Sequence, residues 1–195
     1  FVFIGITFWD FFNKCLIQSV KLIKANKPIV SKVYIPKFIL ILVKIGVNGF
    51  KMFISLLIIV AMLAVWRVPI TYNVIYIIPI LMTLIVLVFG FSCYLLHYGV
   101  FVEDLSNVLN IALRFLFYLT GIFWSIMDRL PAPYNSYIGR CNPIAFLLTS
   151  ARDCVIYGST PHRKLLLLWF VIGLIISALG VRKIYKNENS YVKVI

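Results

Sequence analysis

An all-α integral membrane fold is predicted by three features. They are a hydrophobic content of 63% with mean hydropathy +1.02, apolar runs of membrane-spanning length, and basic residues gathered at the ends of those runs. A soluble domain holds only about 45–50% apolar residues. The 19 Lys and Arg against 6 Asp and Glu give a formal charge of +13. A nucleic-acid binder would present such charge on one face of a polar domain. Here the charge flanks apolar segments, which is the membrane pattern, and nucleic acid is excluded as a partner.

The elements follow from a requirement of about 20 apolar residues per spanning helix. Residues 1–12 are apolar, with Gly5, Trp9 and a single acid, Asp10, and are the tail of a span. The sequence opens inside this run, with neither an initiator methionine nor a basic leader, so a preceding region is expected. Residues 14–37 carry Lys14, Lys21, Lys24, Lys27, Lys32 and Lys37 and no acid. Such a lysine excess beside a span marks the cytoplasmic side.

Residues 38–66 form the next span, its membrane core from Met52 to Trp66 plus the preceding turns. Lys44, Asn48 and Lys51 in its first half either snorkel to the interface or face protein. Residues 74–96 contain no charge and are the clearest span. Residues 108–127 are another, with Arg114 near the cytoplasmic end, and residues 165–181 are the last, closed by Arg182, Lys183 and Lys186. Alternation then puts 67–73 and 128–164 outside, and 97–107 and the C-terminus inside. No internal repeat is evident, and 1–195 reads as a single transmembrane domain.

Within the outer segment, residues 143–157 are apolar enough to enter a membrane and too short to cross it, and they follow Pro131, Pro133 and Gly139. This predicts a re-entrant or interfacial helical hairpin, whose backbone has to be covered by protein or line a water-filled cavity. The alternative is a loop on the outer surface.

Chemistry-bearing patterns are scarce. Of the six acids only Asp10 lies in an apolar run, which gives weak support to a proton-driven transporter. Phosphate-loop, nucleophile-elbow, zinc-helix and DxD patterns are all missing. His97 and His162 are far apart, and the four cysteines form no CxxC pair, so neither a metal site nor a cofactor is expected. Only Cys141 and Cys154 share a predicted outer segment where a disulfide could form. Energy for uphill movement would come from a separate ATPase subunit, touching residues 14–37 and the 97–107 loop with Glu103 and Asp104.

One stretch, Asn26-Lys27-Pro28-Ile29-Val30-Ser31-Lys32-Val33-Tyr34-Ile35-Pro36-Lys37, resembles the cytoplasmic signature of ABC-2 type permeases that export polysaccharides. Asn142-Pro143-Ile144-Ala145-Phe146 followed by Arg152 is similar to that family's Asn-Pro ahead of an arginine-bearing helix. The order of spans agrees along the chain. The resemblance implies an ABC-2 type permease helical bundle with five of six spans, an extracytoplasmic re-entrant hairpin, and an interface helix and first span lying before Phe1. It further implies a homodimer, paired with ATP-binding ABC subunits, passing a lipid-linked glycan of teichoic acid, capsule or O-antigen type across the cytoplasmic membrane. The permease itself would not be an enzyme. Where the family has an Arg-Asp pair after its fourth span, this chain has Glu103-Asp104.

On that reading Lys21, Lys24, Lys27, Lys32, Tyr34, Pro36, Glu103 and Asp104 couple to the ATPase. A membrane-lipid flank is the other reading of the lysines. Arg114, with a guanidinium suited to a carrier pyrophosphate, joins Phe115, Tyr118, Phe123 and Trp124 along the substrate path. The rings could equally face lipid. Asn142, Pro143 and Arg152 form an outer gate, with Arg152 near headgroups, although Asn142-Pro143 is also an ordinary helix start. The competing classes are an ABC-2 exporter of small hydrophobic compounds and a membrane-embedded enzyme of glycan or lipid assembly. The scarcity of acids and histidines argues against the enzyme.

Overall fold

The computed structural model describes residues 1–30, 35–67, 71–124, 139–188 and 191, and no strand occurs among them. Helix α1 (Val2–Val20) leads into two single turns, α2 (Leu22–Ala25) and α3 (Lys27–Val30). Then come α4 (Lys37–Val65), a 3₁₀ turn (Tyr72–Tyr76) running into α5 (Ile77–Phe101), α6 (Leu105–Leu119), α7 (Pro143–Val155) and α8 (Arg163–Lys186). Three of these segments are long and apolar enough to cross a membrane: Lys37–Val65, Tyr72–Phe101 and Arg163–Lys186.

Two expected boundaries move. The first apolar run does not stop near Phe12. Its helix continues through the lysine-bearing stretch to Val20, with Asp10 and Lys14 paired at 2.7 Å one turn apart. The predicted span 108–127 is interrupted, because α6 ends at Leu119 and Gly121 takes φ 66°. Its 15 residues reach about 22 Å, short of the ~30 Å hydrocarbon core.

Helix α5 is the centre of the bundle, packed against α1, α4 and α8. Its contact with α8 is close because α8 presents Gly173, Ser177 and Gly180 in one stripe. A Cβ on Gly180 would stand 2.7 Å from Cys93 Cβ, and one on Gly90 would stand 2.9 Å from Ile176. Ser177 donates to the Val86 carbonyl at 3.0 Å, the small-residue, polar-glue packing typical of helices in lipid. Gly180→Leu is therefore expected to destabilise the bundle by about 1–3 kcal/mol through overpacking, measured as a lowered melting temperature in detergent.

The bundle has two ends. At one, Phe1, Trp66 and Ile156 line a common pocket. At the other, the backbone of Val20 lies against Gly99, where a side chain has no room, and the start of α4 meets the segment after α8. There Lys37 pairs with Glu188 at 3.0 Å, and His97 Nδ1 shares a 2.7 Å hydrogen bond with the Tyr191 hydroxyl. Burial, helped by the Glu188 charge, pushes the Tyr191 pKa up to about 12, so the hydroxyl keeps its proton.

Candidate functional site: a polar groove and the turn that closes it

Helix α6 buries only Ser106 and Leu113. Asn107, Asn110, Arg114 and Tyr118 recur at helical spacing and form one polar stripe. Leu113 seats the helix against α1, and the rings of Phe117 and Trp9 meet edge-on with centroids 5.5 Å apart. Beside this contact lies a cavity of about 560 Å³ lined by Trp9, Asn13, Asn110, Arg114, Phe117 and Tyr118. A guanidinium and two amides on apolar helices need protein or water to face. A groove that brings them together meets that need.

The structure thus unites two of the expected path residues, Arg114 and Tyr118, and adds Trp9, Asn13 and Asn110. Phe115 does not line this cavity and is 69% exposed. Phe123 packs on Phe117 with ring centroids 5.6 Å apart, beyond the end of α6. Trp124 is half-buried after the turn. The signal for Asn110 was its place four residues before Arg114. That for Asn13 was a polar residue one turn after Trp9.

The end of α6 is gripped by α7 at two points. Asn142 caps α7, its Oδ1 accepting from the Ile144 and Ala145 amides at 3.1 and 3.3 Å, with Pro143 at the first helical position. Its Nδ2 donates to the Thr120 hydroxyl at 3.3 Å. Arg152 donates to the carbonyls of Gly121 at 2.9 Å and Ile122 at 2.6 Å. Helix ends leave carbonyls without partners, and a planar guanidinium can serve two at once. Arg152 thus faces protein. It is 3% exposed, lies 3.6 Å from the Phe1 ring centroid, and occupies space that only a glycine at position 5 leaves open, since a Cβ there would stand 2.6 Å from the guanidinium.

The expected coupling residues collect at the opposite end. Lys21 before α2, Lys24 on α2 and Lys27 on α3 are exposed, while Leu22 and Ile23 are buried. Because α2 packs on α5 and Val20 touches Gly99, these lysines share an end with Glu103 and Asp104, which are exposed between α5 and α6. Pro36 precedes α4 and is half-buried. Lys32 and Tyr34 lie outside the described residues. Cys15, Cys93, Cys141 and Cys154 are free thiols, so the Cys141–Cys154 disulfide is not formed. No cluster of His, Cys, Asp or Glu suited to a metal occurs among the described residues.

The three long apolar helices mark a multi-pass membrane protein, and the polar groove lies beside them, between α1 and α6. No protein-family model matches the chain. Over 196 aligned residues it is 23% identical to one O-antigen export system permease protein RfbA of Klebsiella pneumoniae and 22% identical to another, covering all of this chain and 74% of each relative. The resemblance to polysaccharide-exporting ABC-2 permeases, read from residues 26–37 and 142–152, is borne out by similarity along the whole chain. The fold agrees with it as an all-α membrane bundle, and both relatives are transport permeases.

Proposed function

We propose that this chain is the membrane permease subunit of an ATP-driven ABC exporter that moves a lipid-linked polysaccharide out across the cytoplasmic membrane. The observation that carries the reading is the α1–α6 groove, where Arg114, Asn110, Asn13, Tyr118 and Trp9 line one cavity. A sugar chain slides on aromatic faces and exchanges hydrogen bonds with amides, and Arg114 suits the phosphate oxygens of a carrier. A permease for small apolar compounds has little use for a guanidinium and two amides there.

On this proposal residues 1–195 act as one domain, and a second copy supplies the facing wall of the path. The end bearing Lys21, Lys24 and Lys27 is taken as cytoplasmic, in keeping with its lysine excess, and the segment after α8 lies inside with it. A separate ATP-binding subunit docks there, on these lysines, Lys32, Tyr34, Pro36, Glu103 and Asp104. At the outer end Asn142, Pro143 and Arg152 hold the turn after α6 and serve as the gate.

The test is purification of the permease with its neighbouring ATP-binding subunit in lipid nanodiscs, scored by ATP hydrolysis with and without lipid-linked glycan. A stable complex whose turnover rises with glycan is expected. Failure to form a complex with any ATP-binding subunit would overturn the proposal and return attention to a membrane-embedded enzyme.

A further inference from the structure

The segment after α8 makes contacts of a kind that an apolar bundle does not need for cohesion. Lys37, the first residue of α4, is 2% exposed, and Glu188 is 8% exposed. Their 3.0 Å ion pair is therefore almost wholly out of water. Replacing such a pair by apolar residues is often neutral or stabilising, whereas removing one partner is strongly destabilising. Its presence fixes a position more than it adds stability.

Further contacts act beside it. The Tyr185 ring packs on Phe38 with centroids 5.6 Å apart. Tyr191, fully buried, bonds His97 and packs against Phe101 with ring centroids 6.1 Å apart. Lys183 adds a 2.7 Å hydrogen bond to the Tyr98 hydroxyl. The end of α8, with Glu188 and Tyr191 after it, thus joins the start of α4 to the end of α5. Those are the points directly after Pro36 and directly before Glu103, the two flanks of the surface assigned above to the ATP-binding subunit.

We infer that Lys37 and Glu188, with His97 and Tyr191, are positioning residues that carry movement from the ATPase-docking surface into α5 and α8. The inference rests on the export reading. A strut that ties α4, α5 and α8 together makes a push on residues 21–36 move three helices at once. The docking turns already touch α5 through α2 and Val20, and α4 through α2, and the strut adds α8 to those contacts.

The experiment uses proteoliposomes holding the permease with its ATP-binding subunit and measures glycan moved per ATP hydrolysed. Lys37→Glu and Glu188→Lys are each expected to lower that ratio about tenfold or more, because each leaves like charges facing in a buried site. The combined swap is expected to return it to within about threefold of wild type, the signature of direct coupling between the two positions. A purely stabilising role would lower transport and hydrolysis together and leave the ratio unchanged. Glu188→Gln and Tyr191→Phe keep the shape of the segment and cover the case where charge-reversed chains fail to accumulate. Both are expected to lower the ratio. Unchanged ratios in these two variants, or no recovery in the swap when it accumulates, would overturn the inference alone. A wild-type complex that moves no glycan would overturn the export reading and the inference with it.

Discussion

Arg152→Leu is expected to deplete the folded permease. Two carbonyls, Gly121 and Ile122, accept from this guanidinium in a buried site, and leucine leaves both without a donor. Each unsatisfied buried acceptor costs about 1–3 kcal/mol, so the pair costs about 2–6 kcal/mol, a large fraction of a stability of about 5–15 kcal/mol. Thermal melting and size-exclusion profiles in detergent measure the effect. Arg152→Lys keeps the charge and N–H donors but lacks the planar fork that reaches both carbonyls at once, and is expected to fall between wild type and leucine. Gly5→Val should weaken the same joint from the other side, by driving a side chain into the guanidinium. Since both changes act on one contact, their combined cost should fall short of the sum. An Arg152→Leu protein that melts like wild type would show that α7 does not hold the end of α6 through these bonds.

The long helices were legible because hydrophobic length is the signal a membrane demands. Residues 38–66 correspond to Lys37–Val65, and residues 165–181 lie within Arg163–Lys186. Where reading by apolar run failed, the cause was specific. The segment 108–127 stays apolar past the break, so only Gly121, followed by no proline, marked where the helix ends. Helix α1 passes through Lys14 because a charge does not end a helix, and Asp10 one turn back neutralises it. The inward direction of Arg152 was hidden for a different reason. Helix α7 is buried nearly all round, at Ile144 to Leu148, Ser150 to Arg152 and Cys154, so no single apolar face marked the arginine as turned inward, and its partners come from a turn 30 residues earlier. The stripe Asn107, Asn110, Arg114, Tyr118 was open to reading by spacing. Its opposite wall, Trp9 and Asn13 on α1, is a tertiary fact that no local pattern carries.

That stripe makes the second large prediction. Arg114→Leu is expected to leave the fold and membrane insertion as they are, because Arg114 is exposed on α6 and Leu113 and Phe117 make the contact with α1. Export should nevertheless fall about ten- to a hundredfold, the loss of one charge-assisted hydrogen bond of about 1.5–3 kcal/mol to an anionic substrate. Arg114→Lys keeps the charge without the planar fork and should recover part of the rate. Asn110→Leu and Tyr118→Phe remove neutral groups from the same wall and should each cost less, about 0.5–1.5 kcal/mol. Phe115→Leu, one residue along but outside the cavity lining, is the control and should export normally. Glycan reaching the outer face of vesicles is the readout, normalised to permease in the membrane. This ordering separates a polar path from a lipid-facing helix. If α6 faced lipid, Arg114→Leu would improve insertion and leave export unchanged, since an arginine at membrane depth is costly. Loss at Arg114 with retention at Phe115 puts the substrate on the polar side of α6.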